Sequence, residues 1–194
     1  PTHSYMKYLY KYPQGAFPYE QLRSVNAKRS QEEGEYELID TGIFDHNRYY
    51  DIFIEYGKKS PDDIAMRITI ENRGNEEKTL HVLPTFWARN EWFKEGTTKP
   101  EFSMHHEGCI TVVHQKLGTW FLHGESPKEL LFTENETKGS GPFAKDGFNE
   151  YLVYGKKEGV NPAKKGSGFA QLNYSVTESS SLFAVYRQFA QQWW

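Results

Sequence analysis

The chain has 194 residues, a formal net charge of −3, a mean hydropathy of −0.78 and one cysteine, Cys109. This length suits a single domain over residues 1–194 that buries a core without disulfides. The slightly negative charge argues against electrostatic binding of nucleic acid, which needs clustered lysines and arginines. No run approaches the ~20 apolar residues of a membrane-spanning helix, so we expect no membrane partner.

Cysteine usage and the first residues bear on the cellular compartment. With Cys109 alone, neither an internal disulfide nor a cysteine-rich zinc site can form, which favours a reducing, cytoplasmic location. Residues 1–12 alternate lysine and tyrosine without an apolar stretch, so no signal peptide is predicted. Aromatic residues make up 16% of the chain, a proportion that favours β structure and aromatic-lined surfaces.

The amino-terminal segment is too rich in aromatic residues to be a solvated tail. Its four tyrosines, Tyr5, Tyr8, Tyr10 and Tyr12, fit neither the helical nor the strand period fully. The segment therefore predicts a short helix or an extended arm docked on the body of the protein.

A polar surface helix is predicted over Tyr19–Glu33, because apolar residues recur there at helical spacing and Gly34 supplies a stop. Residues 36–45 then return to strand-and-turn character. Asp40 and Asp45 are interpreted as turn residues that bind backbone amides, in preference to a catalytic pair.

The most regular pattern lies between Tyr49 and Trp92 and predicts three consecutive antiparallel strands. Apolar and polar residues alternate in the first two segments, as in half-buried strands. Turn-forming residues at 58–63 and 72–75 separate the segments, and the third strand is expected over Thr79–Trp87. We predict that the apolar positions of the first two strands share one buried face. These positions are Ile52, Ile54, Ile64, Met66, Ile68 and Ile70.

A mixture of indole, guanidinium and amide groups ends this stretch and suits carbohydrate contact. Aromatic faces stack on the C–H surfaces of sugar rings, while arginine and asparagine bond to hydroxyl groups. Packing in a core or interface is the commoner role of tryptophans at a strand end, and it remains the alternative. The candidate contact residues are Trp87, Arg89, Asn90, Trp92 and, further along the chain, Trp120.

The second half of the chain predicts more strands around one long loop. Gly118 is expected to take a left-handed conformation in a hairpin. The long loop contains nine Gly and Pro positions, yet enough aromatics near 146–155 to predict an ordered helical turn inside it. The expected elements are a loop at 93–102, strands at 108–114, 119–123 and 130–133, the inserted loop at 134–168, and final strands at 169–176 and 181–186.

Seven histidines pose the question of a metal site, above all His105 and His106 beside Glu107. A ligand set on one strand face needs a His-x-His spacing, whereas adjacent histidines point to opposite faces of a regular strand. The sequence contains no HExxH motif and no cysteine pair. We therefore predict no metal at His105 or His106, and no cofactor.

No local motif predicts catalysis on this chain. The Gly-x-Gly fragments at 139–141 and 166–168 precede no amphipathic helix, so neither predicts a phosphate loop. A Gly-x-Ser-x-Gly nucleophile elbow is absent from the sequence. The residues predict a mainly β protein, an antiparallel two-sheet sandwich with one surface helix and a long inserted loop.

Short phrases along most of the chain, up to about Tyr174, resemble one known family. The family is that of bacterial and archaeal proteins similar to glycoside hydrolase family 63, which contains mannosyl-oligosaccharide glucosidase. The resemblance is to the amino-terminal region of these proteins. It rests on Thr2-His3-Ser4-Tyr5-Met6-Lys7, Leu9-Tyr10-Lys11-Tyr12-Pro13-Gln14, Phe17-Pro18-Tyr19, Phe44-Asp45 with Arg48-Tyr49, Arg67-Ile68-Thr69, Asn72-Arg73-Gly74, Leu83-Pro84-Thr85, Arg89-Asn90 with Trp92, Phe132-Thr133-Glu134-Asn135, Lys145-Asp146-Gly147 and Val160-Asn161-Pro162.

The resemblance implies an incomplete sandwich of the galactose mutarotase-like type, in a parent that also carries a carboxy-terminal (α/α)6 barrel. In such proteins the barrel holds the catalytic acids and cleaves α-glucosidic bonds, so no catalytic residue is implied on this chain. The expected partners are that barrel and an oligosaccharide. An autonomous carbohydrate-binding module and a mutarotase-like sugar enzyme are the alternatives.

A supporting domain keeps an apolar face for its partner. We therefore expect the isolated chain to expose part of the arm Tyr5–Tyr12, or Trp193 and Trp194, and to self-associate through these aromatics.

Overall fold

Two antiparallel β-sheets form the molecule in the computed structural model, which describes residues 3–136 and 141–188. The fold is mainly β, as predicted, and the two sheets pack as a sandwich. The strands are β1 (Tyr5–Pro13), β2 (Tyr49–Ser60), β3 (Asp63–Asn72), β4 (Leu80–Val82), β5 (Thr85–Trp87), β6 (Glu101–His106), β7 (Cys109–His114), β8 (Gly118–Gly124), β9 (Glu129–Glu134), β10 (Lys165–Gly166), β11 (Gly168–Val176) and β12 (Ser180–Gln188).

The larger sheet has eight strands in the order β1-β2-β3-β12-β8-β7-β6-β10, and the smaller has four. In the smaller sheet β11 pairs with β4 and β5 and also with β9. The core lies between the sheets, where Ile110 and Leu122 of the larger one join Phe132 and Leu172 of the smaller one. All four of these side chains are completely buried.

The β2–β3 hairpin confirms the predicted register. Ile52 pairs with Ile70 and Ile54 with Ile68, so the alternating apolar residues of both strands lie on the same face. That face is the inner one, because Ile52, Ile68 and Ile70 belong to the buried core and Ile54 packs against it.

The third predicted strand, Thr79–Trp87, is wrong in two respects. It is divided into β4 and β5, and both of them pair with β11 in the smaller sheet instead of continuing the larger one. Pro84 lies at the break and has no N–H to donate to a strand ladder, although its carbonyl accepts a hydrogen bond from the amide of Leu172 at 3.0 Å. The chain thus crosses between the sheets after β3.

The amino-terminal arm is extended and forms β1, one of the two structures expected for it. β1 pairs with β2 over its whole length, from Tyr5 opposite Gly57 to Pro13 opposite Tyr49. It lies at one edge of the larger sheet.

Two short helices replace the single long one that the sequence predicts. α1 spans Tyr19–Asn26 and contains no buried residue, which confirms a surface helix but not its extension to Glu33. α2 spans Gly147–Tyr154, inside the predicted inserted loop and near the expected helical turn. Among the described residues no helix combines the length and apolar character needed to cross a membrane.

The predicted strand-and-turn region at 36–45 contains 3-10 helices at Leu38–Thr41 and Asp45–Asn47 instead of a strand. The Asp40 carboxylate accepts a hydrogen bond from the backbone amide of Glu37 at 2.8 Å, which is the turn role expected of it.

A hairpin and an irregular strand complete the larger sheet. β7 and β8 form the predicted hairpin, and Gly118 has the expected positive φ of 74°. β6 is a strand where the sequence predicts the end of a loop. Its pairing with β7 shifts between Met104 and His106, so that His105 is the extra residue of a β-bulge.

Candidate functional site

The segment that carries the predicted carbohydrate contacts begins at the end of β5. Trp87 pairs with Phe169 of β11 and remains 57% exposed. Its indole is thus available to a ligand. The next residue, Ala88, donates its amide to the carbonyl of Gly168 and continues the contact with β11 for one residue more.

Trp92 is held by the protein itself. Its indole N–H donates to the Glu136 carboxylate at 2.8 Å, and Lys99 forms an ion pair with that carboxylate at 3.0 Å. The hydrogen bonds from Trp92 and then from Lys99 lower the pKa of Glu136. The ring lies so close to Gly168 that a Cβ there would be 3.0 Å from it. Trp92 therefore holds the loop that follows β5 against the first residue of β11.

Asn90 also makes contacts within the protein, whereas Arg89 points outward. The Asn90 amide donates to the backbone carbonyl of Asn135 at 3.1 Å, and the Asn135 amide donates to the carbonyl of Ala88 at 2.7 Å. This exchange joins two loops. The Arg89 side chain is 84% exposed and lies 3.8 Å from the Glu91 carboxylate.

Trp120 belongs to a different part of the molecule. It lies in β8, opposite Val112 of β7, and packs against the core. Its indole N–H donates to the carbonyl of Leu117 at 3.1 Å. Arg89 and Trp92 line one small cleft with Glu91, and neither Trp87 nor Trp120 lines it. Of the five candidates, Trp87 and Arg89 are the exposed ones, and carbohydrate contact at them stays a prediction.

A cleft of about 680 Å³ lies elsewhere in the molecule. Its walls come from the β6–β7 turn, the segment between β8 and β9, and Lys164. Three carboxylates and two lysines line it, and no tryptophan, tyrosine or phenylalanine does so in the part of the chain that the structure describes. Stacking on a sugar ring is therefore not available in this cleft. The charged residues are Glu107, Glu125, Lys128, Glu129 and Lys164.

One carboxylate of this cleft is fixed by a partly buried chain of polar side chains. Glu129 accepts hydrogen bonds from the Tyr151 hydroxyl at 2.7 Å and from the Asn173 amide at 2.9 Å. Asn173 is fully buried, and its carbonyl oxygen lies 3.2 Å from Nδ1 of His81. The hydrogen bond to Glu129 raises the pKa of Tyr151. This chain ties α2 to both strands β9 and β11, which gives Glu129 a structural part.

A second cluster of polar groups was missed by the sequence reasoning. Among the described residues His106, Cys109 and His123 form a group whose possible metal-ligand atoms all lie within 4.8 Å of one another. Adjacent histidines point to opposite faces only in a regular strand, and the β-bulge at His105 removes that regularity. Burial raises the pKa of the Cys109 thiol, so the metal-free thiol is protonated at neutral pH.

The strand β1 carries an aromatic face that is not covered by the smaller sheet. Residues of β1 lie opposite core residues of β2, Tyr10 opposite Ile52 and Tyr12 opposite Tyr50, and so share the inner face of the larger sheet. The exposed face is composed of Met6, Tyr8, Tyr10 and Tyr12, which are 44–59% exposed. We call these four residues the inner β1 face. The predicted exposure of Trp193 and Trp194 lies outside the described residues.

Comparison with known proteins aligns the chain with a part of a longer protein. No family model matches it. It is similar to "Uncharacterized protein YMR196W" of Saccharomyces cerevisiae (strain ATCC 204508 / S288c), with 35% identity over an alignment 212 residues long. The alignment covers 86% of this chain and 20% of the yeast protein. The chain therefore spans about a fifth of the length of the curated relative that it matches. It is a β-sandwich that aligns to a part of a larger protein.

Proposed function

We propose that this chain is a non-catalytic β-sandwich domain of a larger protein similar to glycoside hydrolase family 63. In this proposal the parent protein also contains an (α/α)6 barrel that carries the catalytic acids, and the sandwich packs against the barrel through the inner β1 face. Two findings support the proposal besides the sequence phrases. One is the much greater length of the yeast relative, and the other is the lack of cover over β1.

The inner β1 face carries the proposal. Its four side chains continue the core surface of the larger sheet, yet they are half exposed, because the four-stranded sheet is narrower than the eight-stranded one. Covering roughly 300 Å² of apolar surface at about 25 cal/mol per Å² would contribute several kcal/mol to docking. A partner that packs on the inner β1 face would extend the second layer of the sandwich over this edge of the larger sheet.

The proposed occupant is the rest of the parent chain, with the barrel in contact with the tyrosines. Tyrosine suits such an interface, since its ring packs while its hydroxyl remains able to bond to polar groups. Exposed Trp87 lies in a different sheet from β1, and exposed Arg89 follows two residues later, beyond the end of β5. In this proposal both contribute to the rim of the barrel's carbohydrate site.

Hydrogen exchange of β1 in two proteins tests the docking. The isolated chain is compared with the parent protein. We expect β1 to gain protection from proteolysis and from amide hydrogen exchange only in the parent. Tyr8→Glu with Tyr10→Glu should remove this gain and lower hydrolysis of α-glucosides by the parent. Equal protection of β1 in the isolated chain and in the parent would contradict docking at this face.

Leu9→Glu is the matched control. Leu9 is 47% exposed on the same strand, but it lies opposite Phe53 and so on the other face of the sheet. The proposal expects Leu9→Glu to leave both protection and hydrolysis close to those of the unchanged parent. If Leu9→Glu removed the protection and the two tyrosine changes did not, the contact would lie on the other face of the sheet, which would contradict the proposal.

Self-association is the expected behaviour of the isolated chain, because the same face is then free to meet another copy. Sedimentation over a wide concentration range should show dimerisation that Tyr8→Glu with Tyr10→Glu abolishes. A chain that stays monomeric at every concentration would remove self-association from the proposal.

A carbohydrate-binding module is the second candidate, favoured by the exposure of Trp87 next to the exposed Arg89. Titration of maltose-type sugars, followed by tryptophan fluorescence, should then show saturable binding to the isolated chain. Trp87→Ala should abolish it, whereas Trp120→Phe, a change on the core side, should not. Binding by the isolated chain would favour the module, and its absence would favour the supporting domain.

A further inference from the structure

Three side chains from three neighbouring strands meet on the outer face of the larger sheet. The strand register places His106 of β6 opposite Cys109 of β7, and Cys109 opposite His123 of β8. Directly paired residues of an antiparallel sheet point to the same side. The three residues therefore form a row across the strands, with their possible ligand atoms all within 4.8 Å of one another.

The bulge at His105 produces this row. In a regular strand, Met104 opposite Ile110 would place residue 106 opposite Gly108, but the extra residue places His106 opposite Cys109. The two imidazoles then flank the thiol, and their ring centres are 5.8 Å apart. Cys109 is only 4% exposed, whereas both histidines are exposed.

We propose that His106, Cys109 and His123 bind a zinc ion. One thiolate and two neutral imidazoles are ligands that zinc favours, at about 2.3 Å for sulfur and 2.0 Å for nitrogen. Tetrahedral ligands at those bond lengths are about 3.5 Å apart. Binding therefore needs the side chains to close by about 1 Å, a movement that rotation of the two exposed imidazoles supplies. The Cys109 thiol releases its proton to solvent as the Zn–S bond forms.

The hydrogen bonding of His106 fits the role of a ligand. Its Nδ1 lies 2.7 Å from the backbone carbonyl oxygen of Glu107. A carbonyl oxygen only accepts, so Nδ1 carries the proton and Nε2 carries the lone pair that can bind a metal. A second hydrogen bond of this kind orients metal-binding histidines and sets their tautomer.

A fourth coordination position would open into a surface cleft. The cleft has a volume of about 330 Å³, and His105, Phe121, Val185 and Arg187 line it together with the three ligands. Arg187 brings a positive charge, but it forms an ion pair with the Asp63 carboxylate at 3.0 Å, which offsets its repulsion of the metal. A water molecule therefore has room to complete a tetrahedral site, as in zinc sites that keep one open position.

Zinc affinity and cobalt spectroscopy of the freshly reduced chain test the site. Competition with a chromophoric chelator should give one Zn²⁺ per chain. Co²⁺ in the same site should show a near-ultraviolet charge-transfer band from the thiolate together with visible bands typical of tetrahedral geometry. This spectrum reports coordination in the unchanged chain, so it does not depend on how any variant folds.

Single substitutions identify the ligands. Cys109→Ser should abolish the charge-transfer band. His106→Gln or His123→Gln should weaken Zn²⁺ binding by roughly 100-fold or more, since even the loss of a group that only hydrogen-bonds to a ligand weakens binding by about 10 to 100-fold. His3→Gln is the control, because His3 is exposed and is not a member of the cluster.

Two results would overturn the proposal. One is a Co²⁺ spectrum of the unchanged chain without a thiolate band, which would leave the two imidazoles as rings packed over a buried thiol. The other is Zn²⁺ binding that His3→Gln weakens as much as His106→Gln does, as expected for adventitious binding to surface histidines. The zinc site is independent of the docking proposed for the inner β1 face, and neither test decides the other.

Discussion

The centre and the edge of the larger sheet have the same alternating pattern but different cover. In β8 the inward-pointing Leu122 is completely buried beneath the smaller sheet, whereas in β1 the inward-pointing Tyr10 is 53% exposed. Both strands are fully paired with a neighbour. Strand pairing and burial of a face are therefore separate properties, since hydrogen bonds within a sheet do not need a second layer.

The edge strand is held by polar contacts on its outer face. Lys11 donates to the Asp51 carboxylate at 2.6 Å, and Arg73 donates to the same carboxylate at 2.7 Å. The Tyr5 hydroxyl donates to Glu55 at 2.6 Å. Central strands are thus stabilised mainly by apolar burial, and β1 by its ladder of hydrogen bonds and these charged pairs.

The largest expected effect is at the covered centre. Leu122→Ala should lower the free energy of unfolding by about 2 to 5 kcal/mol, because the side chain is completely buried in the core. Leu9→Ala, on the half-exposed edge strand, should cost less than about 1 kcal/mol. Urea unfolding of both variants measures the difference. Equal losses would mean that the outer face of β1, on which Leu9 lies, is covered in solution.

The next effect is at the ion pairs of the edge. Asp51→Asn should lower the free energy of unfolding by about 1 to 2 kcal/mol, since Lys11 and Arg73 remain partly exposed and solvated. Hydrogen exchange should accelerate in β1 and β2 and stay unchanged in β7 and β8. Uniform acceleration throughout the larger sheet would show that the edge is not a separate unit of stability.

The same carboxylate predicts a dependence on pH. Burial raises the pKa of Asp51, but the hydrogen bonds from Lys11 and Arg73 outweigh it and lower the pKa below its ordinary 3.8. A lowered pKa stabilises the folded state fully above the unfolded pKa, and this contribution is lost as the pH falls through the folded pKa. Protection of the β1 amides from hydrogen exchange should therefore fall at acid pH in the unchanged chain. In Asp51→Asn it should fall much less.

A smaller effect is expected at the inner β1 face itself. Tyr10→Thr keeps a residue that favours strands, and in the isolated monomer it should change the free energy of unfolding by less than about 1 kcal/mol. In the parent protein the cost should be larger, because the ring would be covered there. Thermal unfolding of both proteins gives the two values, and equal values would contradict cover by the parent.

The smallest effect is expected at Trp87. Its indole is more than half exposed, so Trp87→Ala should alter the free energy of unfolding by no more than about 0.5 kcal/mol. Trp120→Ala, at the core, should cost several times as much. Urea unfolding compares the two variants, and a large loss for Trp87→Ala would assign this side chain to packing instead of ligand contact.

Local sequence determined the hairpins and their faces. The alternation from Ile64 to Ile70 is enough to predict which side chains of β3 share a face, because the side-chain period of a strand is two. Gly118 likewise predicts the β7–β8 turn, since glycine adopts a positive φ without steric cost. The two-sheet class follows from several such segments in one chain.

Only the tertiary structure decided which sheet each strand joins and which side chains meet. Pro84 signals an interrupted ladder, but not that β4 and β5 pair with β11, some ninety residues later in the chain. The His106–Cys109–His123 row depends on one extra residue at His105, and a single shift of register moves a side chain to the other face. Whether Tyr10 is buried or exposed depends on the width of the opposite sheet. These outcomes come from contacts between distant segments, whereas a local pattern reports only the period of its own strand.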